Sequence, residues 1–409
     1  MEFPSLARRI LVVDDDAARA ARLVGVLDGA GRSWLIETAL SGRGALAALT
    51  ARKFDMLITD LHVAGMGSGA LLAAAALEHP DVVRLVRSTP RGERPMLAAA
   101  CAHQFVAEPL DPEALVGQIS RAFALREGLA APEVRAIVGR MTAIPTLPAL
   151  YTAVVSELQR LHVSTQRIGA LVSEDPAMAA KVLQLVNSPF FGCQMRVSDP
   201  AMAVQRLGLE TVRGLVLSTH VFETFRRPTR GVLNMEQLWQ HAATVSALAG
   251  SLAQVDGAPP DVVQDARTAG LLHDVGKLLL VATLPIVAMR VSDRARRERL
   301  ATAEIERDEL GVTHAELGAY LLGLWGLPDA IVEATAWHHH PPQAAPKGSS
   351  VLSFVVAGNV LAAAQAPQPA KADSASVLTQ LASVLEPLGM SGRAAQWLDW
   401  TLEAARSAA

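Results

Sequence analysis

The run Gly270-Leu271-Leu272-His273-Asp274-Val275-Gly276-Lys277 sets an imidazole beside a carboxylate in an otherwise apolar helical segment. Such a pair is either a metal site or the relic of one. Both side chains are ligands for divalent transition metals, and neither belongs in an apolar core without a partner. Adjacent helical positions point about 100° apart, so both reach one ion only in a crevice between helices, and further ligands must come from elsewhere. Candidates stand at His241, at His314 in Gly-Val-Thr-His-Ala-Glu-Leu-Gly, and at His338-His339-His340 ahead of Pro341-Pro342. Each also has an ordinary structural reading. His241 and His314 read as hydrogen-bonded histidines fixing helix contacts, the triple His as a polar cap before proline, and Asp274 as a cap or the partner of Lys277. Taken singly, each residue favours that structural reading over ligation.

A second concentration of charge lies near the amino terminus. From residue 10 to about 125, short β-branched runs at 10–13, 35–38, 56–59, 82–86 and 104–106 alternate with Ala/Leu-rich helical segments. The alternation predicts a parallel sheet covered by helices on both faces. Asp14-Asp15-Asp16 and Asp60 stand where two of these strands end, at the edge where open α/β sheets bind ligands. Acids converging there repel one another unless a hard cation such as Mg²⁺ joins them.

At 409 residues the chain is long enough for two sizeable cores. A net charge of −3 gives no general pull toward nucleic acid or anionic lipid. Cys101 and Cys193 lack metal-type spacing and read as small buried residues in a reducing compartment. The amino terminus lacks the pattern of a signal peptide, and the longest apolar stretches are too short to span a bilayer, so a cytoplasmic protein is expected. Asp111-Pro112 opens a helix reaching about residue 126, and Pro132-Glu133 opens another after a short hinge. Beyond it, apolar residues three and four apart predict helices over 150–161, 168–172, 179–186, 207–221 and 238–252. Asp175-Pro176 and Asp199-Pro200 are helix starts. The mixed-sign stretch 290–308 reads as a solvated helix face. After the Pro/Ala/Gln/Ser tract 366–376, terminal helices carry an apolar stripe at Trp397, Leu398, Trp400 and Leu402 that is expected to dock on the helical half.

The second half resembles the HD superfamily of metal-dependent phosphohydrolases, and more closely its HDOD (HD-related output) branch. The resemblance runs from about residue 132 to 361. It is carried by His273-Asp274 and the histidines above, with Ile144-Pro145-Thr146-Leu147-Pro148, Asp175-Pro176, Asn187-Ser188-Pro189-Phe190-Phe191-Gly192 and Trp325-Gly326-Leu327-Pro328. It implies a metal-ligand set of His241, His273, Asp274, His314 and His338 or His339, with a last acid that this chain replaces by Asn359. An amide brings no charge, so the change argues against hydrolysis, while the imidazoles keep the means to hold a divalent transition metal. HDOD domains are regarded as signalling or protein-binding outputs.

The first half is similar to response-regulator receiver domains. That resemblance makes Asp14 and Asp15 the acidic pair that helps hold Mg²⁺, Asp60 the phosphoacceptor, Ser88 the hydroxyl residue contacting the phosphoryl group and Phe105 the switch aromatic. One departure stands out: Ala107-Glu108-Pro109 puts Glu108 where the family has lysine, exchanging an attraction for a repulsion. Val63-Ala64 and Gly67-Ser68 also replace the usual residues after the phosphoacceptor. Slow phosphorylation at best is therefore expected at Asp60, and a degenerate receiver used for docking or dimerisation stays open beside it.

The expected architecture is α/β plus all-α: a flavodoxin-like doubly wound receiver domain of five parallel strands (1–127), an all-helical HDOD domain (128–365), and a linker with terminal helices packed on it (366–409). The expected function is that of a bacterial response regulator whose non-catalytic HDOD output contacts another macromolecule. Its partners would be a sensor histidine kinase or other signalling protein and an unidentified downstream protein, with homodimerisation open and neither membrane nor nucleic acid expected. A metal-dependent HD-type phosphodiesterase or phosphohydrolase, and a small-ligand or nucleotide sensor without turnover, are the alternatives.

Overall fold

The computed structural model describes residues 8–63, 65–88, 101–128, 132–139, 144–146, 148–160, 162–188, 196–217, 222–224, 235–342, 347–365 and 373–408. Strands β1 (Arg8–Val13), β2 (Trp34–Ala39), β3 (Met56–Asp60), β4 (Val83–Ser88) and β5 (Gln104–Ala107) form one parallel sheet in the order β2-β1-β3-β4-β5. Helices α1 (Ala17–Asp28), α2 (Gly42–Ala51), α3 (Ser68–Glu78) and α4 (Pro112–Gly128) accompany it. Ile10 to Val13 and Met56 to Ile58 are buried throughout, because a strand covered on both faces reads as a continuous apolar run. This is the flavodoxin-like order expected, with its switch point between β1 and β3. Asp14 and Asp60 lie at that point, since the register sets Val13 beside Thr59. β4 runs two residues past the apolar stretch that announced it, and so places Arg87 directly opposite Asp60.

The rest of the chain is mostly helical. This agrees with the helical second half expected, to which the structure adds one short parallel ribbon of β6 (Ile144–Thr146) and β7 (Phe222–Thr224). Three-residue strands are too short to show a period of two. Helices α5 (Pro132–Gly139), α6 (Pro148–Leu158), α7 (Thr165–Ser173), α8 (Pro176–Val186), α9 (Pro200–Leu207) and α10 (Leu209–Leu217) come first. The stretch 207–221 is thus not one helix: Gly208, with φ 77°, ends α9 before α10 starts. Then follow α11 (Met235–Val255), α12 (Pro260–Leu272), α13 (Val275–Thr283), α14 (Pro285–Glu298), α15 (Thr302–Leu310), α16 (His314–Leu324), α17 (Asp329–Trp337), α18 (Val351–Gln365), α19 (Ser374–Leu385) and α20 (Ala394–Ala408).

Buried polar residues tie these elements together. Asp175 caps α8 through Oδ1, while its Oδ2 accepts hydrogen bonds from the Thr146 hydroxyl and, at 3.2 Å, from the Trp239 indole. One carboxylate therefore joins the ribbon, α8 and α11. On α20, Trp397 is fully buried with its ring 5.6 Å from that of Phe354 on α18. The two halves of the chain also touch: the Gln184 amide of α8 donates to the carbonyls of Ala102 and His103, and Arg84 of β4 donates to the Gly139 carbonyl at the end of α5. Cys101 is buried, whereas Cys193, Leu147 and residues 189–192 lie outside the described residues. Among the described residues no helix is long and apolar enough to cross a membrane.

Candidate functional site

Helix ends, not helix middles, build the imidazole cluster. His273 terminates α12 and Asp274 precedes α13, so the pair occupies the break between two helices. His314 opens α16 behind a capping box of Thr313 and Glu316, and His338 and His339 follow the last turn of α17. His241 on α11 and Asn359 on α18 face each other, Nε2 to Oδ1, at 2.9 Å. Glycine lets the backbones close up. A methyl group at Gly276 would sit 1.9 Å from the His314 carbonyl oxygen, and one at Gly270 would sit 2.8 Å from Ser246 Cα.

Asp274 is the hub. Its Oδ2 accepts from Lys277 Nζ at 2.7 Å, as their spacing suggested, with His273 Nε2 at 3.4 Å and His241 Nε2 at 3.9 Å. His314 Nε2 at 3.1 Å and His338 Nε2 at 3.6 Å approach Oδ1. Potential ligand atoms of Asp274, His314, His338 and His339 form one compact group, and those of His241, His273 and Asp274 a second; Asp274 belongs to both.

The protons are placed by a second layer of contacts. His273 Nδ1 faces the Gly270 carbonyl at 2.7 Å and His338 Nδ1 the Thr335 carbonyl at 2.8 Å. A carbonyl only accepts, so Nδ1 carries the hydrogen and a neutral ring keeps its Nε2 lone pair facing inward. Burial keeps both rings neutral, pushing His273 down to about 3 and lowering His338. His273 Nε2 and His338 Nε2 are buried without a hydrogen-bond partner, and Asp274 Oδ1 is buried with His314 Nε2 3.1 Å away. His314 differs. Burial disfavours its charged form, but Glu306, 2.6 Å from Nδ1, and Asp274 outweigh this and raise its pKa. His314 Nε2 also meets His339 Nε2 at 2.9 Å, a contact that is a hydrogen bond only when one of the two nitrogens carries a proton and the other is bare.

Glu306 corrects the reading of 290–308 as a solvated face. That stretch is two helices, α14 and α15, and many of its charges do pair at the surface, as in Arg294 with Glu298 and Asp308. Glu306 instead is buried and accepts from both the backbone N–H and Nδ1 of His314. The signal available was the apolar neighbour Ile305, too weak to separate Glu306 from the other acids of the stretch.

The amino-terminal crevice is organised differently. Asp14 is fully buried: Oδ1 accepts from the Asp16 N–H and from Arg19, and Oδ2 from Arg87. Burial raises its pKa, but these donors outweigh it and hold the carboxyl below its ordinary value. Arg19 also reaches Asp15 at 3.1 Å. Asp60 Oδ1 accepts from the His62 N–H at 2.9 Å, and its Oδ2 lies 3.2 Å from Arg87. Glu108 lies 3.6 Å from Arg87 as well. Asp16 turns away to cap α1. Ser88 closes β4, its side chain outside the described set, and Phe105 is buried on β5 beside a cavity of about 350 Å³ between the two halves. The acids thus meet two arginines, which the sequence reading did not include.

Residues 144–341 match the family model of the HDOD domain, a span that includes every residue of the cluster except Asn359. An uncharacterized protein of Treponema pallidum is 27% identical over 224 residues, 55% of this chain and 43% of that protein, so the match spans less than half of the relative's length. Among solved structures, the MmoQ response regulator of Methylococcus capsulatus is 22% identical, with 63% of this chain and 97% of that one covered and a TM-score of 0.49. The signal receiver domain of an HD domain-containing protein from Pseudomonas fluorescens is 21% identical, covering 31% and 95%, with a TM-score of 0.28. A putative phosphohydrolase of Shewanella amazonensis is 24% identical, covering 62% and 89%, with a TM-score of 0.35.

Proposed function

We propose that this chain is a signalling protein whose receiver-like part governs a non-hydrolytic HDOD output, and that the imidazole cluster of that output holds a divalent transition-metal ion. The carrying observation is the pair of buried, partnerless Nε2 atoms of His273 and His338, both turned toward the Asp274 carboxylate. Buried polar atoms are nearly always satisfied, and a second layer that directs Nδ1 outward and Nε2 inward is how proteins orient histidine toward a metal. Asp274, His314, His338 and His339 would hold the ion, with His241 and His273 beside it. When bound, such an ion supplies a cross-link between helix ends and a Lewis acid.

One feature weighs against hydrolysis: Asn359 contributes no charge opposite His241. The output then acts by contact with another macromolecule, upstream input coming from a kinase or other signalling protein.

Metal analysis of the full chain purified without chelator tests this reading. Stoichiometric Zn, Fe or Mn is expected, lost in His273→Ala and Asp274→Ala, with chelation lowering the melting temperature of the wild type only. Metal-free protein would sink the metal centre. Turnover of phosphodiesters or cyclic dinucleotides, abolished by the same substitutions, would replace the non-hydrolytic output with an enzyme.

A further inference from the structure

Four carboxylates share the crevice at the carboxyl edge of the sheet, and their repulsion must be offset by positive charge. The chain supplies it. Arg87 is 2% exposed, and strand register sets it opposite Asp60, which places its guanidinium within the crevice. It touches Asp14, Asp60 and Glu108 at once. Arg19 takes the remaining face of Asp14 together with Asp15. Both oxygens of Asp14 and both of Asp60 are therefore engaged by N–H donors.

Mg²⁺ does not fit this donor set. It demands oxygen ligands in a near-ideal octahedron at about 2.0–2.1 Å, and here the Asp14 and Asp60 oxygens already accept from Arg19, Arg87 and backbone N–H groups, with the Arg87 guanidinium standing between the two carboxylates. Glu108 also gains a reason: where the receiver resemblance calls for lysine, an acid stands 3.6 Å from Arg87 and complements its charge.

We propose that Arg87 is a built-in cation that occupies the acidic crevice, so that the amino-terminal part neither takes up Mg²⁺ nor is phosphorylated at Asp60. This stands independently of the metal reading of the helical half.

The test uses the full chain, with calorimetric titration of Mg²⁺ and labelling by a small acyl phosphate. The wild type is expected to show neither. Arg87→Ala is expected to bind Mg²⁺ about tenfold more tightly or better, because three carboxylates lose their tethered cation. Arg87→Ala/Glu108→Lys is expected to gain acyl-phosphate labelling that Asp60→Asn removes. Mg²⁺ binding or Asp60-dependent labelling in the wild type overturns the proposal, as does a folded Arg87→Ala that gains no Mg²⁺ affinity. If Arg87→Ala does not fold, Arg87→Gln takes its place, and the wild-type titration decides by itself.

Discussion

The crevice of the sheet and the imidazole cluster both gather ionisable groups in a buried place, yet they are balanced in opposite ways. In the crevice each of Asp14, Asp15, Asp60 and Glu108 has a guanidinium within 3.6 Å. In the cluster, among the described residues, Lys277 is the only cationic side chain on Asp274 besides the histidines, and the Nε2 atoms of His273 and His338 have no hydrogen-bond partner. Both would pass for cation sites on residue types alone. What separates them is whether the positive charge is already attached to the chain: an arginine fixed by β-register closes one pocket, and its absence leaves the other with inward lone pairs.

The sharpest way to break this contrast is to separate the helices that bring the cluster together. Gly276→Ala would drive a methyl group into the His314 backbone, where nothing flexible can yield. A loss of about 3 kcal/mol or more in unfolding free energy is expected, with loss of bound metal, while the crevice keeps its indifference to Mg²⁺. Denaturant titration with metal analysis checks it; unchanged stability would mean that α13 and α16 do not approach as closely as described.

A milder change tests the second layer. Glu306→Gln keeps size but removes the charge that orients His314, and metal affinity is expected to fall roughly 10- to 100-fold, measured by competition with a chromophoric chelator. No change would demote His314 from the ligand set. Smaller again is Asn359→Asp, which adds an anion beside His241 and is expected to tighten metal binding by roughly tenfold. Unchanged affinity on the same assay would show that the His241 side of the cluster takes no part.

Much of this was legible before folding. Alternating β-branched runs announced the sheet because strands covered on both faces must be continuously apolar, and Asp-Pro pairs marked helix starts because aspartate caps the N–H groups that proline does not need. The short ribbon was not, since β6 and β7 are three residues each and depend on pairing across 78 positions of sequence, from Ile144 to Phe222. Arg87 was hidden for a related reason. The apolar stretch of β4 stops at Val86, and only the parallel register with β3 carries the strand onward to face Asp60.

Residue identity was enough to determine the fold class, the two concentrations of charge and the odd substitutions at Glu108 and Asn359, because periodicity and side-chain chemistry are local properties. It could not determine which charges meet. Glu306 looks like its solvated neighbours until α15 packs against the start of α16, and a histidine reveals which nitrogen bears its proton only when a carbonyl such as that of Gly270 or Thr335 is brought against the ring. Electrostatic interactions depend on distance and burial, and both are set by contacts between segments far apart in the chain.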